Sequence, residues 1–179
     1  MAKPELGTAD SFRGWARPTT AAELLRLPYA ESLSLFRSLP APELGEMDGE
    51  YRADLLDQGP PVFLWVASFF VHQRGLWLAK AFTPTGPSEG RGYNLFVVGD
   101  RLRRGTRMRT TIAPSRIDGR PAYLLDYSAY LRGILGTMRD EVRKVADGLY
   151  LGLGTVGYGR WMRRPSPFLL EGPVSPFDD

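Results

Sequence analysis

A chain of 179 residues with 23 basic and 20 acidic side chains, a formal charge of +3 and no cysteine fits one domain, which at this size buries roughly 70% of the surface its unfolded form exposes. Without cysteine there is no disulfide framework, thiolate metal site or cysteine nucleophile, and the composition suits a reducing compartment. The opening residues lack the apolar stretch of a signal peptide and no run approaches the ~20 residues of a membrane-spanning helix, so the expectation is a cytoplasmic protein without a membrane span.

Residues 1–45 read as a helical segment. Thr20 and Glu23 have the spacing of a capping box ahead of Leu24, Leu25 and Leu27, and Pro28 ends that run. Leu33, Leu35, Phe36 and Leu39 form a second apolar-periodic run ending at Pro40, so two short helices are expected as a lid or plug. Residues 49–56 alternate, with Tyr51, Ala53 and Leu55 on one face and Glu50, Arg52 and Asp54 on the other, the period of a half-buried strand. After Gly59, Pro60 and Pro61, the run 62–71 is almost wholly apolar, and periodicity cannot separate a buried strand from a buried helix there. The prolines favour a helix inserted near 60–73.

Strand patterns then recur over 76–82, 92–98, 101–113, 121–128, 137–145 and 149–156. Turn residues separate them at Gly99-Asp100, Asp118-Gly119 and Asp147-Gly148. Phe168 to Leu170 are an eighth candidate within a Pro-rich C-terminal wrap over 157–179. Consecutive antiparallel strands make a closed barrel over 49–156 the economical arrangement, because closure removes exposed edges; a strongly curved sheet covered by the N-terminal helices is the alternative. Gly49-Glu50-Tyr51-Arg52-Ala53 resembles the Gly-x-Trp-x-Gly signature of the lipocalin-like GXWXG proteins, with Tyr51 at the Trp position and Ala53 at the second Gly. A short helical segment with LPAPELGEM precedes it, and GRPAYLLDYS and MRDEVRKVADGLYLGL are similar to the C-terminal half of those proteins, so the resemblance spans residues 39–153. It implies a mainly β, lipocalin-like antiparallel barrel and little about activity.

Strand parity indicates which side chains face inward. Over 121–128, Ala122, Leu124, Asp126 and Ser128 share a face; over 137–145, the less charged face carries Met138, Asp140, Val142 and Lys144; over 104–113, Met108, Thr110 and Ile112 oppose Arg107 and Arg109. Both Asp126 and Asp140 are therefore expected inside. A buried carboxylate needs a partner; Lys80 is a plausible counter-ion, and Arg139 is another if the register slips. The bland account is a structural ion pair; the chemical one is a general acid or base acting on a bound carbonyl or enol.

His72 stands alone, which argues against a metal site, and no Gly-x-Ser-x-Gly elbow exists. Gly152-Leu153-Gly154-Thr155-Val156-Gly157 matches G-x-G-x-x-G as a string, but it lacks a following helix and reads as bending points in a barrel strand. The arginines at 101, 103, 104, 107 and 109 could meet an acidic partner. No recognition helix accompanies them, so nucleic acid is not expected, and arginine over lysine fits a GC-rich bacterial genome.

The aromatic content suits a cavity for a small molecule, with Tyr51, Trp77, Tyr93, Met108, Tyr123, Tyr127, Met138 and Tyr150 as candidate lining. The expected function is binding of a hydrophobic molecule of polyketide, terpenoid or fatty-acyl type. Turnover without a cofactor as a cyclase or isomerase would use Asp126, Asp140 and Lys80. A non-catalytic carrier or sensor, and an interaction module built on the arginine-rich strand, are the alternatives, and a homodimer is compatible with all three.

Overall fold

The computed structural model of the chain describes residues 17–63, 65, 68, 75–159 and 164–178. Eight antiparallel strands follow one another around a closed barrel: β1 Gly49–Leu55, β2 Leu76–Pro84, β3 Glu89–Val98, β4 Arg101–Pro114, β5 Pro121–Asp126, β6 Arg139–Ala146, β7 Leu149–Thr155 and β8 Ser166–Ser175. Each strand pairs with its neighbours in sequence, and β8 returns to β1 through Ala53↔Leu170 and Leu55↔Phe168. The predicted up-and-down, lipocalin-like barrel is thus present. Its closing strand comes from the segment expected to wrap the surface, where Phe168, Leu169 and Leu170 are all buried. Among the described residues no helix is long and apolar enough to cross a membrane.

Two helices precede the barrel, α1 Ala21–Leu25, closed by the Thr20–Glu23 capping box, and α2 Tyr29–Ser38. They lie against the outer wall instead of filling an end. Leu24, Leu27, Leu35, Phe36 and Leu39 pack on outward-facing Ala122, Leu124, Val145, Leu149, Leu151, Leu153 and Leu169 of β5 to β8. These strands are consequently buried on both faces, which is why β5 and β7 are apolar nearly throughout, while β6 carries the buried Asp140, Glu141 and Arg143. The plugging falls to the short 3-10 turn Leu44–Glu46 and the buried Met47 that follows it. There the Glu46 carbonyl accepts from the Tyr51 hydroxyl at 2.9 Å, and its carboxylate accepts from Tyr150 at 3.0 Å and from Lys144 at 2.9 Å.

Arg143 fastens the helices to the barrel. It is fully buried on the outer face of β6, stacked 4.5 Å from the centroid of the Phe36 ring. Its Nη1 donates to the Phe36 carbonyl and to Asp118, its Nη2 to Asp118 and the Arg120 carbonyl, and its Nε to the Pro121 carbonyl. All five guanidinium hydrogens therefore have acceptors, the condition under which a buried cation is tolerated. Burial works to raise the Asp118 carboxyl, but the Arg143 fork, the Arg120 N–H and both guanidinium charges outweigh it and hold the group below the usual carboxylate range.

Removing the acid strands a buried cation, so Asp118→Ala is expected to cost about 3–5 kcal/mol of unfolding free energy. The folded-state pKa of Asp118 is the lower one, so the pair's contribution is complete above the unfolded carboxyl's pKa of about 3.9 and disappears as pH falls through the folded value. Urea midpoints of the natural chain and Asp118→Asn should accordingly differ near neutrality and converge in acid.

Candidate functional site

The barrel interior is divided along its axis. Towards the end closed by Glu46, inward-facing Tyr51, Phe82, Met108, Tyr123, Leu125, Val142 and Tyr150 fill the space. Tyr51 makes ring contacts with Phe82 at 5.6 Å and Tyr150 at 5.7 Å, and Phe82 meets Tyr123 edge-on at 5.4 Å. Burial pushes the Tyr51 hydroxyl up to about 12 and raises Tyr123 and Tyr150 as well. These phenols are packed core with no access to a ligand. At the opposite end a cavity of about 620 Å³ opens between Leu55, Trp77, Phe96, Met138, Val156 and Phe168, with Val62 and Phe63 at its edge. Pro61 to Phe63, Trp65 and Ser68 are helical, as expected for that insert; the rest of the apolar run, and His72, lie outside the described residues.

A buried polar cluster stands in this largely apolar wall. Lys80 of β2 is buried, and its ammonium donates to Asn94 Oδ1 of β3, to Tyr127 Oη just beyond β5 and to Asp140 Oδ2 of β6, each at 2.8 Å. The Tyr127 hydroxyl donates in turn to Asp140 Oδ2 at 2.6 Å. Asn94 is held by Trp77 Nε1 at 3.1 Å and donates its amide to the Thr106 carbonyl at 3.1 Å. The ammonium also sits 5.2 to 5.5 Å from the ring centroids of Trp77, Phe168 and Tyr127, close enough for cation–π attraction. All three ammonium hydrogens are thus taken by protein acceptors.

Two irregularities bring these groups together. The β2–β3 register shifts between Trp77 and Ala79, so Leu78 is the extra residue and both Trp77 and Lys80 turn inward, which strict alternation forbids. A second shift between Gly92 and Asn94 on β3 is matched on β4 by Thr106, whose φ of 50° is unusual for a residue with a side chain. That conformation belongs to the residue whose carbonyl fixes Asn94.

The glycines of β7 make room rather than merely bending the strand. A Cβ on Gly152 would lie 2.1 Å from the Phe168 ring, and one on Gly154 would lie 2.9 Å from Asp140 Oδ1. Asp140 therefore spends Oδ2 on Lys80 and Tyr127 and keeps Oδ1, to which no described group donates, on the cavity side of the small Gly154. For Lys80, burial lowers the pKa and Asp140 pulls it back up without cancelling the effect. Burial and the Asp140 charge together raise Tyr127 well above a free phenol.

Of the sequence-derived candidates, Lys80, Asp140, Tyr127, Trp77 and Met138 meet at this cavity. The inward placement of Asp126 is corrected. It lies on the outer face with its side chain 36% exposed, 3.4 Å from Arg139 and accepting the Ser128 N–H at 2.9 Å. Parity failed because Ala122 and Leu124, which share its face, are buried by the helices and not by the barrel interior. Tyr93 is likewise outside, against Phe177, donating to Glu50 at 2.8 Å. Tyr51, Met108, Tyr123 and Tyr150 face inward but belong to the filled half. The arginines of β4 line its exposed surface. Sequence reasoning missed Asn94, Thr106, Gln58 and Arg164, single polar residues without a motif; a second, open depression of about 600 Å³ beside Gly49 and Phe177 carries no buried ionisable group.

Breaking the Lys80–Asp140 pair on one side should be costly, about 3–5 kcal/mol for Asp140→Leu or Lys80→Met alone, while the double substitution recovers most of the loss. Urea unfolding of the four proteins measures this, and additive losses would contradict it. In Asp140→Asn the folded-state pKa of Lys80 falls further below its unfolded value, so the folded protein binds fewer protons and stability should rise with pH across that interval.

No family model matches the sequence, and no curated protein is similar to it. Among solved structures, a protein from Thermomonospora curvata superposes with a TM-score of 0.56 at 18% identity, over 81% of this chain and 87% of that one. The similarity is one of fold, and agrees with the barrel described above.

Proposed function

We propose that this chain is a cytoplasmic barrel protein that binds a hydrophobic small molecule of polyketide, terpenoid or fatty-acyl type in the cavity above the packed aromatic half. The observation that carries the reading is the buried Lys80–Asp140–Tyr127–Asn94 cluster, which opens onto a largely apolar cavity wall. Pockets of roughly 300–1,000 Å³ with a few convergent polar groups are the usual form of a small-molecule site. The resemblance of 49–53 to the GXWXG signature bears on the barrel part of this reading alone.

Chemistry at such a site would centre on Asp140 Oδ1. A ligand hydroxyl or an acidic C–H placed against it can hand over a proton and receive it back elsewhere on the same molecule, the balance of an isomerisation or a cyclisation that consumes no co-reactant. Lys80 and Tyr127, both donating to Oδ2, hold the carboxylate in place with Oδ1 towards the ligand. Enclosure of a flexible ligand in a reactive fold can contribute about 7–11 kcal/mol. A carrier without turnover is favoured by a separate feature, the saturation of every Lys80 hydrogen inside the protein.

A molecule retained on purification should be visible in native mass spectra. A ligand at a hundredfold excess over its Kd adds about 2.7 kcal/mol of stability, which for a domain of this size corresponds to a Tm rise of roughly 5–10 °C. No retained molecule, and no rise with any apolar acid, alcohol or terpenoid tested, would remove the binding reading. If the site turns a ligand over, Asp140→Asn should slow it by about 10²–10⁴-fold. Gly154→Ala, which places a methyl against Oδ1, should also impair it, whereas Asp126→Asn leaves the rate unchanged; an unaffected Asp140→Asn rate removes Asp140 as the acid or base, and binding without turnover identifies a carrier.

A further inference from the structure

The cavity holds a second cation whose circumstances differ from those of Lys80. Arg164, half-buried on the connection between β7 and β8, lines the same cavity. Its guanidinium carbon lies 4.2 Å from the centroid of the Tyr29 ring and 3.8 Å from that of Phe63. Nε donates to the Tyr29 hydroxyl at 3.2 Å and Nη2 to the Gln58 carbonyl at 3.0 Å. Gln58 is itself buried and fixed, donating to the Leu56 and Pro167 carbonyls at 2.8 Å and accepting from Ser166 Oγ at 2.6 Å. The guanidinium is therefore held rigidly, yet two of its five hydrogens suffice for these bonds, and among the described residues no carboxylate pairs with it. Neither connection flanking the cavity, 61–75 or 156–165, contains an acidic residue.

Charge inside the cavity is thus unevenly matched. Lys80 is neutralised by Asp140 at 2.8 Å and has no hydrogen left to offer. An anion brought to that cluster would also meet the Asp140 carboxylate. Arg164 has both an unmatched charge and unused donors in a planar fork, which suits a carboxylate in two parallel hydrogen bonds.

Resting on the ligand-binding reading above, we infer that Arg164 is the anion receptor of the cavity and that the ligand is an amphipathic carboxylic acid, bound with its carboxylate on Arg164 and its apolar body against Trp77, Phe96 and Phe168. A neutral hydroxyl on that body, not its acid group, is what reaches Asp140 Oδ1. The deeper and more conspicuous lysine is a structural cation, and specificity for an acid comes from the connection before β8.

Calorimetric titration of the full chain with dodecanoate and with dodecanol, at a pH where the acid is ionised, tests this directly. The natural protein should bind the acid about tenfold or more tightly than the alcohol, the usual scale of a charge-assisted contact. Arg164→Gln should abolish the preference while leaving alcohol binding within about twofold. Arg164→Lys, which keeps the charge and loses the planar fork, should retain a reduced preference and serves if the glutamine variant does not fold. Equal binding of acid and alcohol to the natural protein overturns the inference and leaves the cavity reading standing. A preference that persists undiminished in either variant also overturns it, since the acid is then read elsewhere. Failure of both probes to bind overturns the inference together with the reading on which it rests.

Discussion

An ammonium and a carboxylate facing each other inside an apolar barrel set the terms for the rest of the interior. The desolvation of Lys80 and Asp140 is several kcal/mol per ion, and only near-complete hydrogen bonding offsets it. Lys80 accordingly meets three acceptors from three other parts of the chain, and each acceptor is in turn held by something else. Asn94 needs Trp77 and the Thr106 carbonyl; the Thr106 carbonyl needs a backbone conformation with positive φ; Asp140 needs the missing side chain of Gly154. The bulges in β2 and β4 are thus the geometric cost of satisfying one buried cation.

The same logic governs the outer wall. Arg143 and Asp118 form a second buried ion pair on the far side of β6, joining α2 to the barrel with every guanidinium hydrogen accepted. One strand therefore carries Asp140 inward and Arg143 outward, each committed to a different partner set. The outer pair is sealed by Phe36 and the hairpin before β5, whereas the inner one opens onto a cavity. That difference in surroundings, not the ion pairs themselves, separates a fastening from a candidate site.

Much of the architecture is legible in the chain. The turn residues at Gly99, Gly119 and Gly148 sit at the tips of hairpins, and the alternation of 49–56 marks β1 within a residue. Among site residues, Lys80 and Asp140 could be paired from parity and the need of a buried carboxylate for a counter-ion. Asp126 could not be separated from Asp140 by the same reasoning. On β5 both faces are apolar, one against the interior and one against the helices, so a two-residue period no longer says which way is in. Trp77 shows the converse failure, since alternation put it on the face opposite Lys80 and a single bulge brought the two together.

By itself the sequence determined an antiparallel barrel with a charged pair inside it, because hydrophobic period, turn chemistry and the burial cost of a carboxylate are local or pairwise properties. Only the tertiary structure decided that half of the barrel is filled by tyrosines and half is open, that Gly152 and Gly154 yield their space to Phe168 and Asp140, and that among the described residues no carboxylate pairs with Arg164 beside the cavity. Those outcomes depend on which strands face one another at which register, and on how far a plugging turn reaches into the barrel. Neither quantity is written in the spacing of residues along one strand.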